Sequence, residues 1–495
     1  MLARLDKAPA HLRELMRNSQ PNFFLPTAAR KTTCSANGFE TRPAHVRGKV
    51  SMPTRRLHLN VGINSTGYAA SSWAWPGTRW NRFADFEHYL HAAKLARDGV
   101  FDAVFLSDHT ALQRDATSRP LHSFDPVVLF SALAATVPDI GFVLTASTSY
   151  NSPYNLARRL ASLDTISGGR LVWNVVSSFN PDIAANFGSA PLPARADRYR
   201  RADEFLSVVK KLWLSWDTPG GPAPEEFLWT AETARRIDHH GEFFDVAGPL
   251  NVPIGPQGHP VISQAGASAA GIDLAGKHAE LVYAALLGKQ AAARHGAAIR
   301  ERAIAHRRDP ETVRLLPGLV PIIGDTREEA LRRHEALHGS AGEDGLLASL
   351  FRRTGMSVDP DVPLDPSVFA WDEGQDGAVG FVRSLAELTA DEKLTARQLV
   401  RRTEGGHRLL VGTARDVADG ILDWWADGTV DGFTVQPPVL PDDLARFVAE
   451  VVPLLQAEGA YPREYREPTI RGRFALPVPV PPTGAAAVGV SPVHP

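Results

Sequence analysis

Apolar residues fall along this chain in short runs that alternate with stripes at helical spacing. Ile140–Thr145 is such a run, and Asn151-Ser152-Pro153 carries turn chemistry. Leu156, Leu160 and Leu163 then recur at helical intervals, Gly168-Gly169 breaks the pattern, and Leu171–Val176 is a second run rich in β-branched and aromatic residues. The stretch from Ile140 to Ser178 reads as strand, helix, strand, so its two strands are expected to be parallel neighbours. Both run into Ser, Thr and Asn at their C-terminal ends, where parallel α/β folds build sites.

The same alternation extends over most of the chain. Strands are expected at Leu57–Ile63, Phe101–Ser107, Val261–Ala265, Glu280–Leu286, Val313–Ile323 and Gly432–Gln436. Helical stripes lie between them. Phe83, Phe86, Leu90 and Ala93 form one, Pro126–Val137 another, and Tyr199, Phe205, Leu206, Val209, Leu212 and Trp213 a third. Further helices are expected at Ser268–Lys277, up to Arg308, from Thr326, at Ala414–Ala426, and along Leu444, Phe447, Val451 and Leu454. Eight strands interleaved with helices predict an α/β fold, a (β/α)8 TIM barrel with insertions after strands four and seven. The insertions, at about 216–258 and 340–400, are Pro/Gly-rich or weakly patterned. An open doubly wound sheet is the alternative, but no Gly-x-Gly-x-x-Gly turn follows the first strand. Residues 1–55 lack periodicity and read as a disordered extension, or as a start assigned ahead of Met52. Residues 476–495 read as a disordered Pro/Ala-rich tail, leaving 56–475 as the barrel domain.

Charge removes several function classes. A net charge of −2 gives no field for a polyanion, so no nucleic-acid partner is expected. No apolar run approaches the length of a membrane span, and the single cysteine, Cys34, cannot form an internal disulfide. A cytoplasmic protein is the expectation.

Three motifs invite chemistry and are set aside. His334-Glu335-Ala336-Leu337-His338 matches H-E-x-x-H, yet no third ligand follows at metzincin spacing and Arg332-Arg333 flank it. A zinc protease is therefore a distant reading, and no metal is expected. Gly271 to Lys277 mimics a phosphate loop but continues into His278 and falls on a helix. His88 and His91 are expected on a solvated helix edge.

Candidate site residues sit at strand ends. Asp108 ends strand two, with helix capping as the alternative role. Thr145 ends strand three and could merely pack there. Asn174 places an amide in an apolar strand, which demands partners in the core or in a pocket. Tyr199 opens a stripe that could be wholly core. Gln264 to Ser268 joins a strand to a helix N-terminus through small residues. There, free N–H groups favour a phosphate, unless Ser268 is only a cap.

The segments LHLN (57–60), FDAVFLSD (101–108), TASTSYNSPYNLARRLASLDTISGGRLVWNVVSS (145–178), NFG (186–188), RYRRADEF (198–205), HHGEFFDVAGPLNVP (239–253), QAGASAAG (264–271), LVGT (410–413) and DGF (431–433) occur in order. As a set they resemble the nitrilotriacetate monooxygenase and dibenzothiophene-sulfone monooxygenase branch of the bacterial-luciferase-like flavin monooxygenases. The resemblance implies a barrel that binds FMN at strand C-termini. It implies a two-component system, in which a separate NAD(P)H:flavin reductase supplies reduced FMN and O2 is used to oxygenate a small organic compound. A homodimer or homotetramer is implied as well. Asp108 and Thr145 match positions beside the isoalloxazine, Tyr199 a tyrosine on the phosphate side, and Ala267 and Ser268 the phosphate-binding turn. Arg195 stands where the family commonly has His, four residues before that tyrosine. FLSDH replaces the more common F-x-D-G, which puts His109 at the pocket mouth, and Asn174 is expected to face the reaction space. Trp73, with Trp75 and Trp80 after strand one, suggests an apolar or sulfur-containing substrate. An amine is the other expectation. A flavin- or deazaflavin-dependent hydride-transfer enzyme on the same barrel is the runner-up.

Overall fold

The computed structural model describes residues 55–112, 124–189, 191–217, 233–338, 342–369, 379–404 and 406–481. The expected extension and most of the expected tail lie outside them. Among the described residues, parallel strands β1 His58–Gly62, β2 Ala103–Leu106, β3 Gly141–Ser147, β4 Leu171–Val176, β5 Val261–Gln264 and β6 Leu281–Val282 follow one another in spatial order. Beyond β6 comes β7 Arg314–Leu315, and on the other side of β1 lie β10 Gly432–Val435, β8 Gly318–Ile323 and β9 His407–Gly412.

The sheet is curled, and the segment 314–323 shows how. Pro317 has no N–H and splits it into β7 and β8. Leu316 N donates to the carbonyl of Val282 (2.8 Å), the last residue of β6. On the opposite side, Asp431 N donates to the Leu315 carbonyl (2.9 Å) and Thr434 N to the Pro317 carbonyl (2.9 Å). One segment therefore bonds to both flanks of the sheet.

Strand side chains alternate between two packings. Leu59, Val61, Val104, Leu144, Trp173, Ile262 and Phe433 pack with the helices in the large core. Ala103, Phe105, Val143, Val172, Val261, Leu281 and Leu316 point the other way, into a separate apolar cluster on the inner face. The floor of that cluster is the C-terminal segment: Ile470, Phe474 and Leu476 pack into it, and Phe474 stacks on His58 at 4.2 Å.

The βαβ unit forms as its pattern demands. Helix α3, Pro153–Ser167, starts with the Ser152 hydroxyl accepting from Asn155 N, followed by proline at the first helical position. It stops at Gly168, whose φ of 71° suits a residue without Cβ. Trp173 is wholly buried, and its Nε1 donates to the Ala146 carbonyl (3.1 Å). Its indole meets Trp213 edge-on at 6.0 Å and so fixes the helix α5, Arg195–Trp213, over β4.

Several expectations need correction. The sixth strand is only two residues long, and the seventh is interrupted. Strand β9 has no counterpart in the pattern reading; its middle residues are half-exposed, and its partner β8 lies far back in the chain. His88 is buried rather than solvated, and its Nε2 donates to the Ser65 carbonyl (2.8 Å); His91 is exposed. Between residues 340 and 400 the chain forms helices with a core of their own, built on Leu347, Leu350, Leu385 and Leu399 together with Leu287. Residues 476–481 continue the fold, since Leu476 is buried and the Pro477 carbonyl accepts from Arg471 (3.0 Å).

Candidate functional site

The inner face changes character along the strands. Toward the strand C-termini its apolar residues give way to Asn60, Thr145, Asn174, Ser263 and Thr434, all buried. Asn174 Nδ2 donates to Thr145 Oγ1 (3.0 Å), which brings two of the expected residues together across β3 and β4. The pair is not self-sufficient. Asn174 Oδ1 is buried with no partner, and so is Asn60 Oδ1. An orphaned buried acceptor costs ~1–3 kcal/mol. Just beyond β4 and β3, Ser177 Oγ and Tyr150 OH are also buried and unpartnered. Tyr150 stacks flat on Phe187 at 4.6 Å. Four orphaned polar atoms at one end of one sheet mark a place for a polar ligand.

Asp108 follows β2 and caps no helix. Its burial, with Asp125 nearby, pushes its carboxyl up to about 6. Asp125, not Asp108, caps the next helix, accepting from Val127 N and Val128 N. His109 is tied down: Nδ1 donates to the Ala111 carbonyl (2.8 Å), and Nε2 lies 3.2 Å from Asn180 Nδ2. The loops after β2 and β4 are thereby joined. Trp73 is half-buried in a short turn, Ser72–Ala74, after β1. Its neighbour Trp75 lies under the Arg333 guanidinium (4.8 Å), a packing role. The Trp80 side chain is outside the described residues.

A second group forms where α5 meets the helix α6, Ala269–His278. Ser268 caps α6, its hydroxyl accepting from Gly271 N. Its Oγ lies 3.3 Å from Tyr199 OH, so two expected phosphate-side residues are in contact. Arg195 is the first residue of α5, one turn before Tyr199 and on the same face. The turn is tight. A Cβ on Gly271 would stand 2.9 Å from Gly266 Cα and 3.2 Å from Tyr199 OH. These hydroxyls and the first-turn N–H groups, which lack intrahelical acceptors, form a donor set suited to a phosphate. Lys277 and His278, the end of the phosphate-loop mimic, instead bind Asp203, each at 2.7 Å.

Pattern reading missed a third group. Tyr283 OH lies 2.6 Å from His407 Nε2 and accepts from Gln436 Nε2 (3.0 Å). Tyr283 follows β6, and its ring meets Phe105 on the inner face at 5.2 Å. These residues come from three distant parts of the chain, and no local spacing relates them.

The H-E-x-x-H helix, α8 Arg327–Leu337, holds no metal constellation. His334 Nε2 and His338 Nε2 are 3.0 Å apart and share a hydrogen bond. No group of three or more metal-binding side chains occurs among the described residues. A cavity of about 910 Å³ lies beside this helix, but Arg401 there pairs with Glu343 and Arg327 with Asp416. Most of its charges are paired, whereas the strand ends carry buried, unmet polar atoms, so the strand ends are the better site.

Comparison with known proteins decides the family. Residues 64–432 match the luciferase-like monooxygenase family model. The chain belongs to the luciferase-like monooxygenases. Among its relatives, N-acetyl-S-(2-succino)cysteine monooxygenase of Bacillus subtilis (strain 168) is 35% identical, over 86% of this chain and 98% of that one. Nitrilotriacetate monooxygenase component A of Aminobacter aminovorans is 35% identical, over 86% and 97%. The solved structure of an EDTA monooxygenase from Chelativorans sp. BNC1 is 40% identical and superposes with a TM-score of 0.74, over 86% of this chain and 99% of that one. Membership implies a flavin cofactor, and the polar groups of this monooxygenase fit one chemically. The orphaned Asn174, Ser177 and Tyr150 atoms suit a polar ring system, and the Tyr199–Ser268 turn suits a phosphate. No helix among its described residues is long and apolar enough to cross a membrane.

Proposed function

We propose that this protein is the oxygenase component of a two-component system, an FMN-dependent monooxygenase that uses reduced FMN and O2 on a small organic compound. The observation that carries the reading is the set of buried, unpartnered polar atoms at the C-terminal ends of β3 and β4, in a chain of this family. On this reading the curled sheet closes as a (β/α)8 barrel over 56–475, with insertions at about 216–258 and 340–400. Tyr199, Ser268, the Ala267 turn and Arg195 hold the flavin phosphate. Thr145 and Asn174 hold the ring edge, and Asp108 stands beside it. His109, Asn174 and Trp73 border the substrate.

When bound, FMN supplies the redox chemistry with oxygen; the chain supplies binding, orientation and shelter from water. Asn174 Oδ1 can accept from a ring N–H, and Nδ2 is held by Thr145 so that the amide cannot turn away. Asp108, raised to about 6, can hold a proton close to neutral pH, which an ordinary aspartate cannot. The reduced flavin comes from a separate NAD(P)H:flavin reductase, and the protomer assembles as a homodimer or homotetramer in the cytoplasm. The named relatives act on amine, thioether and carboxylate compounds, which makes a sulfur-containing compound or an amine the first substrate class to try.

The test is turnover of such compounds with FMN, O2 and a generic flavin reductase, omitting each component in turn. Oxygenated product that requires all of them is expected. Absence of FMN binding at high micromolar concentration would overturn the reading. Tighter binding of a deazaflavin than of FMN would favour hydride transfer.

A further inference from the structure

We infer that Arg383, carried by a helix of the 340–400 segment, is a second cation, beside Arg195, that selects the phosphate of the flavin. This rests on the flavin reading above and adds a residue to it.

The helix is α10, Val379–Glu392. It is fixed on the C-terminal end of the sheet by contacts on both sides of Arg383. Ser384 Oγ donates to the Ala285 carbonyl (2.6 Å), in the segment after β6. One turn on, Glu387 pairs with Arg294 (3.4 Å), on the helix Lys289–Ala305. Val382 and Leu385 are buried in the segment's own core. Arg383 itself is exposed, and its Nη1 donates to the Ala267 carbonyl at 3.3 Å. Ala267 immediately precedes the cap of α6. The guanidinium therefore sits on the same turn as Ser268 Oγ and Tyr199 OH.

Electrostatics give this placement its meaning. The N-terminus of α6 carries a partial positive charge of roughly half a unit. Arg383 adds a full unit beside it, and among the described residues no carboxylate pairs with Arg383. Burial and the Arg383 charge hold His295 at about 4, so that imidazole is neutral and does not compete for an anion. The helix end and Arg383 face one turn with no carboxylate paired to that guanidinium among the described residues, which is unfavourable until an anion arrives. A phosphate monoester fits best. It brings about two negative charges and three acceptor oxygens, enough for the first-turn N–H groups, the two hydroxyls and a guanidinium fork.

The experiment compares FMN with riboflavin, which differ only in the phosphate, by flavin fluorescence or calorimetry. Wild type should bind FMN more tightly. Arg383→Gln should weaken FMN about tenfold while changing riboflavin less than about twofold, and Arg383→Lys should fall between. The preference of wild type should shrink with salt more steeply than that of Arg383→Gln. Glu392→Gln, an exposed residue at the far end of the same helix that pairs with Arg402 (3.0 Å), should leave the FMN-to-riboflavin ratio unchanged, which separates loss of this cation from a general change in the helix. Inorganic phosphate should compete with FMN more strongly in wild type than in Arg383→Gln. An unchanged ratio in Arg383→Gln, or a wild type that does not distinguish the two flavins, overturns the assignment. Failure of both flavins to bind overturns the flavin reading itself.

Discussion

The two ends of the inner face use polar residues in opposite ways. At the floor, the principal charged groups are buried and paired, although Asp164 Oδ2 is left unmet. Arg471 is almost wholly buried, and its guanidinium reaches Glu280 (2.8 Å) and the carbonyls of Gln257 (3.1 Å) and His259 (3.2 Å). Asp102 binds Arg56 (2.7 Å), His58 (3.2 Å) and Leu59 N (3.0 Å). Burial alone would raise the Glu280 carboxyl, but Arg471, with His259 and Lys210, pulls it down to about 2. At the strand C-termini, Asn60, Asn174, Ser177 and Tyr150 are buried and unmet, and Asp108 is raised to about 6. The floor resembles a finished core, whereas the other end resembles half of an interface whose other half is a ligand. On the proposed reading, stability and function are divided along the same strands.

The sharpest way to break this comparison is at the floor. Arg471→Met strands Glu280 as an unpaired buried charge, and stability should fall by ~3–5 kcal/mol. Adding Glu280→Gln should restore a large part of it, as read by urea unfolding. Tolerance of the single change within about 1 kcal/mol would mean that the floor is not what holds the sheet.

At the other end, Asn174→Ala should change stability by less than about 1 kcal/mol, because it removes an orphaned acceptor along with a hydrogen bond. Flavin affinity should drop about tenfold. A large stability loss with intact flavin binding would make Asn174 a core residue.

Acid and alkali should separate Glu280 from Asp108 by sign. Glu280 is lowered in the folded state, so its contribution is present above about 4.5, the usual glutamate value, and is lost as pH falls toward about 2. Asp108 is raised, so the folded state favours its protonated form. Its burden grows as pH rises from 3.8 through about 6 and is complete above that. Asp108→Asn should therefore stabilise the protein by ~1 kcal/mol at pH 8 and hardly at all at pH 4 in thermal melts. Equal gains at both pH values would remove Asp108 from the comparison.

The smallest effect is expected away from both ends. Glu335→Gln, at the exposed acid of that motif, or dialysis against a chelator, should leave stability within about 0.5 kcal/mol and flavin binding unchanged. A chelator-sensitive enzyme would reopen the metal reading of that helix.

Much of this was legible in the chain. The period of the apolar runs located β1 to β5, the capping serines and prolines placed α3, and Gly168 fixed its end. Thr145, Asn174, Tyr199 and Ser268 stood out because polar residues at strand ends and helix starts are locally conspicuous. Asn60 could have been found by the same rule, as an amide inside an apolar strand. The missed features have no local signal. The Tyr283–His407 contact spans 124 residues, the Arg471–Glu280 pair 191, and the Arg383–Ala267 contact 116.

By itself, then, the sequence determined most of the strands and helices, β9 and the helices of 340–400 excepted, and which end of those strands is polar. Those follow from periodicity, capping and backbone sterics, which act over a few residues. Tertiary structure decided that 314–323 bonds to both flanks of the sheet, that 470–476 forms its floor, and which polar atoms go unmet. It also decided that Arg383 lies on the turn at Ala267. Each of these depends on closing a long loop, and no short window of residues encodes where a long loop will bring its ends.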